Sequence, residues 1–263
     1  TQSQAFHLEW KGTGNENAKV TLKNGTISST ADSGVRMLVQ NYCDLTLDNM
    51  TLDGTNIGRG QYTLSNNCGN VTIQNCEIIA PENGFAFDSC DYANYTGVSV
   101  TVKGESEILG KIERTNPNGG ENNARISVQS GTFSDVSALN YLAAGADVAV
   151  ELGESATQST TIPAEATVAL DLNGKTVDYL AVGEVVSDEE GGILDSADGD
   201  LTVLGSRAGT GTDGEITRLD FVRGTLSIQD GVTIGKTSDS SVGLACKEDS
   251  GEVTIVGAGT TVI

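Results

Sequence analysis

A short phrase returns along this chain at nearly constant spacing. Val20-Thr21-Leu22-Lys23-Asn24-Gly25-Thr26-Ile27 reappears as Leu45-Thr46-Leu47-Asp48-Asn49-Met50-Thr51-Leu52 and again as Val71-Thr72-Ile73-Gln74-Asn75-Cys76-Glu77-Ile78, at steps of 25 and 26 residues. Such a chain is an array of similar units, each packing on its neighbours. Inside each phrase apolar and polar residues alternate, the period-2 pattern of a strand that buries one face. The pattern continues from Val100, Ile126, Leu170, Leu201, Leu226 and Val253, making nine phrases. Looser strands lie between them, at Val35–Val39, Gln61–Leu64, Gly84–Phe87 and Gly243–Cys246. With 33 glycines against 3 prolines, bends are plentiful and rigid turns few. Repeats of 25 to 31 residues, the one gap between Ile126 and Leu170 aside, with no helical stretch between their strands leave no room for crossover helices. The expected architecture is therefore all-β, a parallel β-helix (solenoid) of about nine or ten coils.

The regularity breaks once. Ser134 to Gly145 reads as a short helix, with Ser134 as N-cap, Val136, Leu139 and Leu142 on one face, and Gly145 as terminator. Glu151 to Pro163 reads as irregular. A boundary is expected near Ala144, and two alternatives stay open: lobes over 1–144 and 145–263, or one continuous rod. Thr260 to Ile263 is an apolar, strand-like stretch without a polar cap, so the array is expected to belong to a longer chain.

Charge narrows the partners. Acidic residues outnumber basic ones 36 to 15, a formal charge of −21, which repels phosphate backbones and excludes nucleic acid as the expected partner. No run of 18 apolar residues occurs, so no membrane insertion is expected.

The phrases KVTLKNGTIS, DLTLDNMTLDGTN, NVTIQNCEI, RISVQSGTFSD and TVALDLNGKTV resemble the pectin-lyase-like, right-handed β-helix regions of large surface proteins from gut-dwelling Firmicutes. The resemblance covers nearly the whole chain and implies a right-handed solenoid displayed outside the cell. In that group the phrase resembling Ile162 to Gly174 tends to come early in a region and that resembling Ser130 to Asp135 late, so their order here implies the tail of one region joined to the head of another. These are fold signatures, shared by enzymes and adhesins alike. A polygalacturonase-like catalytic set would need a paired Asp-Asp and a Gly-His-Gly; neither is present, and the single histidine, His7, is expected to lie outside the array. The arginines sit in no version of the pectate-lyase motif. The expected function is a noncatalytic, extracellular stalk or adhesin that binds host or dietary glycans or a host surface protein. The alternative is a polysaccharide lyase or glycoside hydrolase acting on an acidic polysaccharide, which the net charge opposes. No cofactor is required by the first reading; Ca²⁺ is the one candidate.

Particular residues carry these readings. Asn24, Asn49 and Asn75 occupy one place in three phrases and are expected to stack as an amide ladder. Cys43, Cys68 and Cys90, spaced 25 and 22 residues apart, are expected to stack similarly as small buried groups, with disulfide pairing and a metal site as the alternatives. Asp195, Asp198 and Asp200 place carboxylates in a Gly-containing bend suited to Ca²⁺, without matching the EF-hand order. Asp91, Tyr92, Asn94 and Tyr95 lie in an inserted loop, where rings can stack on a sugar while carboxylate and amide groups bind hydroxyls. A second loop, Arg114 to Asn123, is expected to border the same surface. Phe85 and Phe87 alternate and are expected in the core, and Asp48 with Asp53 is one of many candidate carboxylate pairs.

Overall fold

The computed structural model describes residues 4–8, 18–31, 34–58, 61–92, 97–163, 165–187, 193–205, 214–235, 242–246, 251–257 and 260–262. The chain divides into two compact units, Thr1–Thr132 and Phe133–Ile263. Both are all-β, and nearly every strand pairs in parallel with its counterpart one repeat away.

In unit one the phrases form one sheet. Lys19–Ser28 pairs with Asp44–Asp53, which pairs with Asn70–Gln74, then Ser99–Lys103, then Arg125–Phe133. The register superposes like on like: Val20, Leu45, Val71, Val100 and Ile126 are successive partners, as are Leu22, Leu47, Ile73, Val102 and Val128. A one-residue slip would turn every one of these side chains to the polar face, so the pattern itself fixes the register. Leu45 through Val128 in these two rows are buried, each contributing on the order of 1.5 to 3 kcal/mol. The intervening strands form a second parallel sheet, in the order Gln4–Leu8, Met37–Asn41, Tyr62–Asn66, Phe85–Cys90 and Lys111–Thr115. His7 therefore lies within the array, paired with Gln40 and stacked on Tyr42 at 5.4 Å.

Unit two repeats the scheme. Leu142–Glu151, Thr167–Asp171, Gly199–Leu204, Gly224–Gln229 and Gly251–Val256 pair in succession, aligning Val148, Val168, Leu201, Leu226 and Val253. Ala156–Ile162, Thr176–Val182 and Gly214–Phe221 begin its second sheet. Glu184–Ser187 and Ile193–Ala197 form a small antiparallel pair.

Two local expectations are corrected here. The break contains a 3₁₀ turn over Val136–Tyr141, capped by Asp135, whose carboxylate accepts from Ser137 N at 2.8 Å, and not by Ser134. Leu142 is already extended, and Gly145 sits inside a strand instead of ending a helix. The alternation of Ala146, Val148 and Val150 against the next phrase outweighs the helical spacing that precedes it. The stretch after Glu151 is likewise a strand from Ala156, because Ala156, Thr160 and Ile162 point inward among otherwise polar neighbours.

A buried amide ladder holds the corner where each intervening strand passes into its phrase. Asn41 Nδ2 donates to Cys43 O at 2.7 Å, Asn66 Oδ1 at 2.9 Å and Cys68 O at 3.1 Å. One repeat on, Asn66 Nδ2 donates to Ser99 O at 3.0 Å and Gly69 O at 3.4 Å. Both asparagines are 0% exposed, so the carbonyls they serve have no water to turn to. Asn66→Ala is expected to cost about 2 to 3 kcal/mol in denaturant unfolding. A cost below about 0.5 kcal/mol would show that the corner carbonyls find other donors.

Candidate functional site

The second sheet of unit one carries the site. On its strands Leu64, Phe87 and Ile112 are register partners pointing inward, so the following row, Gln40, Ser65, Asp88 and Glu113, points outward. Over this row lies a cleft of about 560 Å³. Tyr62 and Tyr92 supply aromatic walls, Gln40, Asn67 and Asn116 amides, and Asp88 a carboxyl group. Among the described residues that line it, none is basic.

Asp88 is the chemically distinctive group. Although on the outward side of its strand it is only 2% exposed, and burial pushes its carboxyl up to about 7. Three donors work against that rise: the Ser65 hydroxyl, Thr115 Oγ1 at 3.2 Å and Asn66 N at 3.1 Å. Beside it Tyr62 donates its phenolic proton to Glu113 Oε1 at 2.6 Å, and burial together with this bond raises the phenol. Tyr62 also packs against Phe85 at 5.6 Å. Burial raises the Cys90 thiol as well, so this lining group is a small neutral side chain, not a thiolate.

The expected loop residues reach the cleft in part. Tyr92 is 46% exposed and lines it. Asp91 Oδ2 accepts from Asn123 N at 2.8 Å and from Asn123 Nδ2 at 3.3 Å, which ties the two inserted loops together. Asn116 and Pro117 of the second loop line the cleft. Asn94 and Tyr95 lie outside the described residues. Phe87 is core, whereas Phe85 is only half-buried. Sequence reasoning missed Gln40, Tyr62 and Ser65, and singled out Asp88 only as one of the polar residues among the clustered aromatics Phe85, Phe87, Tyr92 and Tyr95. The recurrence Asn41-x-Cys43, Asn66-x-Cys68, Asp88-x-Cys90 points to the ends of successive intervening strands but sets Asp88 one residue out of register, because Asp88 pairs with Ser65 and Asn66 with Ser89.

The remaining candidates sort by geometry. Asn24, Asn49 and Asn75 share a left-handed backbone at φ 55°, 54° and 52°, a conformation asparagine tolerates. Asn49 Nδ2 donates to Asn24 Oδ1 at 2.8 Å, while Asn75 Oδ1 accepts from Glu105 N at 3.0 Å. Gly104 takes the next place at φ +69°, where a Cβ would stand 2.3 Å from Asn75 Oδ1. Cys43 and Cys68 follow the corner asparagines at matching places, but Cys90 ends its strand opposite Thr115. All five cysteines are free thiols, four of them buried and Cys246 exposed. Asp198 pairs with Arg223 and Asp48 with Lys23, and Asp53 accepts from Thr55. The side chain of Asp195 lies outside the described residues, Asp200 is exposed, and the described residues contain no cluster of three metal-ligating side chains.

Unit two has a concavity of about 570 Å³ lined by Leu139, Leu142, Ser159, Thr161, Pro163 and Val222 among others, with no ionisable group among its described lining residues. One of the buried carboxylates of unit two, Asp220, is paired by a two-point contact from Arg218 at 2.9 and 3.2 Å. No helix among the described residues is long and apolar enough to cross a membrane. Comparison with protein-family models, with curated proteins and with solved structures finds no match.

Proposed function

We propose that this chain is a noncatalytic, extracellular bacterial surface module, built as a right-handed parallel β-helix, whose unit-one cleft binds a glycan. The parallel, in-register stacking of repeats supports the solenoid reading, and the phrase resemblance supports the handedness and the surface location. The observation that carries the binding reading is the cleft itself. Two tyrosine rings flank amide, hydroxyl and carboxyl groups drawn from four consecutive strands and the loop after them, the combination that grips a ring with an apolar face and a polar rim. A glycan array of host and dietary oligosaccharides tests it, followed by calorimetry on the best ligand. Tyr92→Ala removes an exposed ring and is expected to weaken binding about tenfold, with unfolding unchanged. No ligand on the array, or a ligand indifferent to Tyr92→Ala, would leave only the stalk role.

One observation favours a second reading. Asp88, displaced to about 7, is the register partner of Glu113 on the next strand, and two neighbouring carboxyl groups are what glycoside hydrolysis uses. Product release from uronate polymers and neutral glucans, with and without Ca²⁺, decides this. Release abolished by Asp88→Asn would make the module an enzyme.

A further inference from the structure

We propose that the unit-one cleft selects a sugar carrying a free, protonated amino group, with the Asp88 carboxylate and the Tyr62 ring as its ammonium-binding pair. The inference rests on the glycan reading above and names the chemistry of the ligand.

Three observations lead there. First, the charge of Asp88 lacks a counter-ion. Its contacts are a backbone N–H and two hydroxyls, and no ion pair reaches it among the described residues. Asp220, a buried carboxylate in unit two, does hold an arginine, whereas Asp88 is buried more deeply and holds none among the described residues. Second, Tyr62 donates a hydrogen bond to Glu113 at 2.6 Å. A phenol polarised by a carboxylate has a more electron-rich ring, and that face attracts a cation. Third, the described lining contains no basic residue, so nothing competes with or repels an ammonium group.

A neutral sugar meets the aromatic walls and amides equally well. It leaves Asp88 either protonated or charged without a counter-ion, whereas an ammonium brings three donors and the missing positive charge. Burial strengthens that pairing relative to water. An N-acetyl group removes the charge and adds bulk, so it is discriminated against. The net charge of −21 steers cationic oligomers toward the protein but does not by itself select a site.

Calorimetry on the full chain at neutral pH and about 0.15 M salt, with hexamers of glucosamine, N-acetylglucosamine and glucose, tests the inference. The glucosamine hexamer is expected to bind roughly 10- to 100-fold more tightly than the other two, and Asp88→Asn to abolish that preference. Glu82→Gln removes the same charge from an exposed turn and is expected to change nothing. Three hexamers bound alike would overturn the amine selectivity while leaving the glycan reading standing. No binding of any hexamer would overturn it too, with the glycan reading judged separately by the array. Equal weakening by Asp88→Asn and Glu82→Gln would assign the preference to the overall field and not to the cleft. Circular dichroism of Asp88→Asn, expected to be native-like, and an unfolding free energy expected to be no lower than that of wild type separate lost binding from lost fold.

Discussion

Gly69→Ala is expected to destabilise unit one by about 3 to 5 kcal/mol, enough to leave much of it unfolded. Gly69 is the extra residue between the Asn66 corner and the phrase that starts at Asn70. Its φ is +85°, and a Cβ would stand 2.2 Å from Cys43 O and 2.4 Å from Cys43 C. Both obstacles are backbone atoms of the preceding repeat, so no rotamer change relieves them. Moving them would break the contacts of Asn41 with Cys43 and Cys68. Gly58 is the control, because its added Cβ meets nothing within 4 Å, and Gly58→Ala is expected to lie within about 0.5 kcal/mol of wild type. Equal effects of the two substitutions in urea unfolding would refute the corner as a fixed element.

Asp88→Asn is expected to stabilise the protein at high pH and not at low pH. The carboxyl titrates near 3.8 when exposed and near 7 when folded, so the folded state holds the proton more tightly. Its contribution to stability is full below the unfolded value and is lost as pH rises through about 7, by up to about 4 kcal/mol. Asparagine keeps the shape and an acceptor for Asn66 N but never carries the charge. The difference in unfolding free energy between variant and wild type should therefore grow from about pH 4 to about pH 8 and then level off. A constant difference across that range would mean that Asp88 is ionised throughout in the folded protein.

The phrase strands were legible because each carries its own alternation and because like residues fall at one spacing. Val20, Leu45 and Val71 needed no structure to be aligned. Leu142–Glu151 was hidden by Val136, Leu139 and Leu142, whose helical spacing precedes it and runs into an alanine-rich segment. Ala156–Ile162 was hidden by polarity: among its described side chains, Ala156, Thr160 and Ile162 are the buried ones. The site was half legible. Asp91 and Tyr92 stand out as loop insertions, and the loop ending at Asn123 was rightly placed beside them. Gln40, Ser65, Asp88 and Glu113 come together only through the register of the second sheet, whose strands are too irregular in pattern to be aligned from sequence with confidence in the row.

Because each strand finds its partners one repeat before and one repeat after, length is a free variable for this kind of chain. An in-frame duplication or excision of one repeat leaves its neighbours facing the same kind of surface as before. Recognition does not share that freedom. The cleft gathers side chains from Met37 to Pro117, so an event inside that span would erase the proposed ligand site, whereas one outside it would leave its lining intact.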